Sequence, residues 1–198
     1  DADGDTATDS ETVDLGNNIR FEDDEPSVDV TITGEASVLL TTQDADTVGA
    51  NSDTAVSTGD FSGVFGTTPT YGADGAGTTV TTYSLALASG VSDGDDSGLN
   101  SGGSDVLLRD NAGVIEGYVA GDVIFTIGVN ASGVVTLTQH EVLDHIEGGK
   151  GGTDDIVALG NGLVDLTASA LTTDADGDTA TDSETVDLGN NIRFEDDE

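Results

Sequence analysis

The sequence predicts an all-β chain folded as a β-sandwich, on three observations. Short runs rich in Thr, Val and Ile alternate apolar with polar residues. Clusters of Gly, Asn, Asp and Ser separate these runs at short spacing. Helical periodicity is nearly absent, and only Val142 to Glu147 reads as a short helical turn.

The strands follow in chain order. Residues 6–14 and 18–22 are joined by the turn Gly16-Asn17-Asn18. Residues 28–33 and 36–42 come next, then 54–58 after the polar loop 43–53. The long alternating run 78–88 precedes a Gly/Ser/Asp-rich stretch, 89–104, which reads as a loop. Four close-set strands follow at 105–109, 113–119, 122–129 and 133–140, the last two separated by Asn130-Ala131-Ser132-Gly133. Residues 155–159 and 162–172 flank Asn161-Gly162 and complete the set. So many short strands with Gly-rich turns imply an immunoglobulin-like β-sandwich.

Charge narrows the function. There are 40 acidic and 4 basic residues, a formal charge of -36. Like charge at that density opposes compaction, and divalent cations are the natural counter-ions. A salt-adapted or solubilising surface is the plainer account of the same acidity. Disorder is disfavoured because apolar residues make up 35% of the chain and fall in runs such as Val123-Ile124-Phe125-Thr126-Ile127. Nucleic acid and anionic lipid would be repelled. No apolar run reaches about 18 residues, so no membrane insertion by a helix is expected. Cys is absent, which leaves metal ions as the plausible staples of a secreted fold. Met is absent too, and the chain is expected to be an internal piece of a longer one.

Self-similarity is the most informative feature. Residues 1–25 (DADGDTATDSETVDLGNNIRFEDDE) recur without change at 174–198, an offset of 173 residues. The simplest reading is a tandem array with a 173-residue period. Pro26 stiffens the start of the next unit. The chain then divides into residues 1–25, the C-terminal hairpin of a preceding repeat, and 26–198, one complete unit. Identical copies in series serve length and spacing better than they serve catalysis.

Two acidic motifs could carry chemistry. In Asp174-Ala175-Asp176-Gly177-Asp178-Thr179, and its copy from Asp1 through Asp3 and Asp5 to Thr6, three carboxylates alternate around a Gly. Alternating oxygens in a tight loop can converge on Ca²⁺, which takes six to eight of them. The run resembles the opening of an EF-hand loop. It departs from that pattern at Thr179, where Gly is needed, and at Thr185, with Glu184 one place early; Asp182, and Asp9 in the copy, fall at the ninth position. Strand-like flanks make it the tip of a β-hairpin, either holding calcium or simply solvated. The second motif is the junction Glu22-Asp23-Asp24-Glu25 and its copy Glu195-Asp196-Asp197-Glu198. Packed carboxylates of this kind favour a counter-ion that would lock adjacent repeats, or else form a charged linker. Weaker candidates are Asp44, Asp46 and Asp53, then Asp93, Asp95 and Asp96, and finally Asp154 and Asp155, each of a kind that is more often an ordinary turn acid.

Catalytic readings fail on spacing. His140 and His145 are five residues apart, roughly 140° around a helix, whereas a zinc-protease helix needs i and i+4. The Gly-rich run Glu147 to Asp155 has its Asp misplaced for a calcium β-roll and reads as a loop. No enzyme activity is expected.

These residues together resemble the long repeats of type I-secreted, repeats-in-toxin giant adhesins of bacteria. The resembling segments are Tyr71-Gly72-Ala73-Asp74-Gly75, Thr82-Tyr83-Ser84-Leu85, Val123 to Ile127, Gly133 to Gln139, Gly162 to Ala168, and above all the DADGDTAT…IRFEDDE run. The resemblance implies β-sandwich extender modules in series at the cell surface, stiffened by calcium and associated with biofilm. Adjacent repeats would be the immediate partners, and other domains of the parent would grip a surface or glycan. The alternative is a calcium-dependent glycan- or surface-binding module, with Tyr71 and Tyr118 as candidate platforms.

Overall fold

The computed structural model describes residues 2–34, 37–48, 54–145 and 155–196. Fourteen strands lie among them: β1 (Ser27–Ile32), β2 (Leu40–Gln43), β3 (Ala55–Asp60), β4 (Phe65–Thr70), β5 (Thr78–Leu87), β6 (Asp96–Ser101), β7 (Ser104–Asn111), β8 (Val114–Val119), β9 (Asp122–Val129), β10 (Val134–Gln139), β11 (Ile156–Ala158), β12 (Val164–Thr173), β13 (Thr179–Asp187) and β14 (Ile192–Glu195). The fold is all-β with several sheets. Strands β6 to β10 form an antiparallel meander in which each pairs with the next, and β3 adds to its β10 edge. A second sheet runs β13-β12-β5, a third β11-β14-β2, and β1 pairs with β4. In the third sheet β14 and β2 are parallel, with Glu195 opposite Gln43.

The alternation read from the sequence becomes burial. On β12 the side chains of Val164, Leu166, Ala168, Ala170 and Thr172 are buried, and the residues between them face outward. They join one continuous core with Leu108, Ile115, Ile127 and Leu137 of the meander. Phe125 of β9 packs on Phe194 of β14 with ring centroids 5.2 Å apart at 48°, which ties the meander to the third sheet. Phe65 and Tyr83 tie β4 to β5 in the same way, at 6.0 Å. The Asp182 carboxylate accepts the Val30 amide at 2.7 Å and fastens β1 to β13.

Three expectations change. Residues 96–101, read as loop, form β6, whose few inward residues include the buried Ser97 and Leu99. Residues 142–145 are not helical; Leu143 is buried instead, and its N–H turns to Asp44. Residues 6–14 and 18–22 form no strands, although their identical counterparts form β13 and β14.

The physical reason is pairing. Strand β13 is hydrogen-bonded along β12, and β14 lies between β11 and β2, so within this chain those positions are filled by the second copy. The first copy keeps the alternation, but the positions its pattern fits are taken. Its apolar residues show the cost. Val13 is 74% exposed and Phe21 95%, whereas their counterparts Val186 and Phe194 are 2% and 0% exposed. Leu15 and Ile19 are exposed likewise, against the fully buried Leu188 and Ile192.

This asymmetry is testable. Phe194→Ala should lower unfolding free energy by about 3–5 kcal/mol, the usual cost of emptying an aromatic core site. Phe21→Ala should leave it within about 0.5 kcal/mol. Denaturant unfolding of both variants checks the pair, and equal losses would contradict the difference in burial.

Candidate metal centre

Strands β12 and β13 are the arms of one hairpin, and Asp174 to Asp178 is its tip. The Asp174 N–H donates to the Asp178 carbonyl at 3.0 Å. The Asp174 carboxylate turns inward, and its Oδ1 accepts the N–H groups of Gly177 at 3.0 Å and Asp178 at 2.8 Å. Gly177 has φ +109°, which a side chain would strain. Among the described residues Oδ2 of Asp174 is buried without a hydrogen-bond donor, with only other carboxylates near it. Asp174, Asp176 and Asp178 each offer an oxygen within 4.8 Å of the others.

Distant segments bring further carboxylates to the tip. Asp176 lies within the same limit of Asp74 and Asp23. Asp74 sits in the connection between β4 and β5, which presses against the hairpin. A Cβ on Gly77 would lie 1.9 Å from the Thr173 carbonyl oxygen, so only glycine permits that approach. The first copy reaches the same place: Ala73 N–H donates to Asp24 Oδ2 at 2.8 Å, and Asp24 N–H to Asp23 Oδ1 at 3.1 Å. The two acidic motifs separated in the sequence therefore converge, the Glu22–Glu25 run of one copy on the hairpin tip of the other.

Protonation behaviour follows from this crowding. Asp176 is pushed above the ordinary carboxylate value, first by its side-chain interaction with Asp174 and then by burial and the charges of Asp174 and Asp74. Asp178 is pushed up by burial, then by Asp23, Asp174 and Glu25. For Asp174 burial acts upward, but hydrogen bonds from Asp176, Gly177 and Asp178 outweigh it and hold the group low. Carboxylates that raise one another in this way are relieved by a bound cation. The oxygen-only donor set and the orphaned Asp174 oxygen both fit calcium.

The other residues singled out from the sequence lie elsewhere. Asp182 is on β13 and bonds to Val30. Asp3, Asp5, Asp9 and Glu22 are exposed in the first copy. Glu195 ends β14, and Asp1 and Asp197 lie outside the described residues, as do Asp53, Asp154 and most of the Gly-rich run at 146–154. Asp74 was missed as a ligand candidate, and only its Asp-Gly setting hints at it.

A second cluster was not foreseen as a group. Asp44, one of the weaker candidates, is 2% exposed. It accepts the Leu143 N–H through both oxygens, at 3.3 and 3.2 Å, and a hydrogen bond from Gln139 Nε2. His145 Nε2 stands 3.4 Å from Asp44 Oδ2, and Asp196 completes the group within 4.8 Å. Burial pushes the Asp44 carboxyl upward, and the Asp196 charge adds to the rise against the lowering effects of Gln139, Leu143 and His145.

Fold and site define an acidic, all-β domain with carboxylate clusters at strand ends. Residues 38–189 match the family described as Domain of unknown function (DUF5801), and the chain belongs to that family. No curated protein matches it.

The raised carboxylates set a sign for the pH response. Asp176 and Asp178 bind a proton more tightly when folded, so their protonation supports the fold fully below about pH 3.9, and that support is lost as pH rises through their elevated values. Asp174, held low, acts only below the ordinary range. In chelator, wild type should therefore gain stability relative to Asp176→Asn as pH falls from 7 towards about 4.5. Thermal midpoints across that window check this, and a parallel pH response of the two proteins would contradict the crowding.

Proposed function

We propose that the chain is a calcium-stiffened spacer unit of a tandem array, related to the extender repeats of secreted bacterial adhesins, with an immunoglobulin-like sandwich as its layout. One observation carries the reading. A 25-residue segment occurs twice without change; one copy is built into the core, and the other leaves Val13, Leu15, Ile19 and Phe21 exposed while its acidic end meets the hairpin tip. A segment shared in this way suits a joint: its strands belong to the fold of one unit and its carboxylates to the next.

Calcium would be held by Asp174, Asp176 and Asp178, with Asp74 and Asp23 completing the oxygen set. Asp23 belongs to the segment that joins units, so the ion would tie one unit to its neighbour and restrict bending. A glycan-binding reading gains little support. Tyr71 is half-buried with its hydroxyl 3.0 Å from Thr79 Oγ1, and Arg109 covers the Tyr118 ring at 4.5 Å.

The test is thermal unfolding in EDTA and in millimolar calcium. An ion at 100 times its Kd adds about 2.7 kcal/mol per site. For a domain of this size that is a rise of about 5–10 °C in midpoint. The rise should vanish in Asp176→Ala/Asp178→Ala. A two-unit protein should also become longer and stiffer in small-angle scattering when calcium is added. The absence of any calcium response would remove the metal from the proposal.

A further inference from the structure

The geometry points to a second metal site of different chemistry: we infer that Asp44, His145 and Asp196 bind a transition-type divalent cation such as Zn²⁺, apart from the oxygen-only cluster at the hairpin tip. The inference goes beyond the spacer reading and does not depend on it.

Three segments build the site. The parallel pairing of β14 with β2 sets Glu195 opposite Gln43, so the next residues, Asp196 and Asp44, leave the sheet side by side. Like charges in that position repel unless something lies between them. The chain leaving β10 then brings in His145. Gln139 Nε2 and the Leu143 N–H fix Asp44, which is the outer-sphere support that metal-binding carboxylates usually have.

The imidazole supplies the independent observation. Its side chain is only 4% exposed, and among the described residues neither Nδ1 nor Nε2 has a hydrogen-bond partner. A buried ring with two unsatisfied nitrogens is costly. Nε2 is aimed at the Asp44 carboxylate without bonding geometry, at 3.4 Å. Tetrahedral ligation with bonds of about 2.1 Å puts neighbouring donors about 3.4 Å apart. The Asp44–His145 pair already stands at that spacing, and Asp196 offers a carboxylate oxygen within 4.8 Å of both. One nitrogen with two carboxylates favours zinc-type ions over calcium, which takes oxygen. Bound there, the ion would clamp the turn after β2, the tail of β10 and the end of β14.

The test is Co²⁺ titration of the full chain in millimolar calcium, read by visible d–d absorption, with Zn²⁺ competition by calorimetry. One Co²⁺ should bind per chain and be displaced by Zn²⁺. Binding should weaken at least about tenfold in His145→Gln and in Asp196→Asn. It should be unchanged in His140→Gln, which removes the other histidine, and in Asp176→Asn, which damages the calcium cluster. Should His145→Gln fail to fold, imidazole NMR of wild type decides: Co²⁺ should broaden the His145 signals and leave those of His140 sharp. No binding below millimolar Co²⁺, binding that survives both His145→Gln and Asp196→Asn, or broadening of His140 alone would overturn the site. In the first case Asp44 and His145 form only a buried ion pair.

Discussion

The structure depends on the backbone pairing of β12. It is hydrogen-bonded along its length to β5 on one side and β13 on the other. Its inward face supplies a row of core residues, and its end leads directly into Asp174. Strand length therefore sets where the acidic tip stands. Residues 78–87 pair with 164–173 in unbroken register, from Thr78 opposite Thr173 to Leu87 opposite Val164, which leaves no slack in that placement. The loop holding Asp74 enters β5 at the same end, so one pairing brings carboxylates from two connections together. A cluster of repelling groups can persist there because the strands beneath it are fixed by the apolar core.

Much of this was legible in the sequence, and the exceptions have physical causes. Strands such as β9, β10 and β12 announce themselves because burial on one face demands alternation. The hairpin and its acidic tip were read correctly because strand, Asp-rich turn and strand are contiguous. Strand β4 was overlooked because Gly66 and Pro69 interrupt its pattern; as β4 pairs only with β1 among the described residues, the missing proline N–H costs little. Strand β6 was overlooked because its composition is that of a loop, and its register with β7 shifts between Asp96 and Asn100.

The sites were less legible because they are assembled across the chain. Asp23 and Asp176 are far apart in sequence, and so are Asp44 and His145. No local spacing encodes either meeting. The first copy marks the limit of pattern reading most sharply. Residues 6–14 carry the same alternation as β13, yet alternation states only which side chains want burial. Whether a strand forms is decided by an unoccupied edge in register, and that is a property of the partner.

Asp23 and Asp196 occupy the same position of the 25-residue segment that occurs twice, and each shows one side of it. One stands against Asp74 and Asp176, the other against Asp44 and His145. Where such units follow one another, a single carboxylate faces its own unit on one side and the next unit on the other. Loss of structure in either unit then removes half the surroundings of that residue. In the proposed array the stability of each member would be conditional on its neighbours, as in a one-dimensional Ising chain, and interior members would outlast those at the ends.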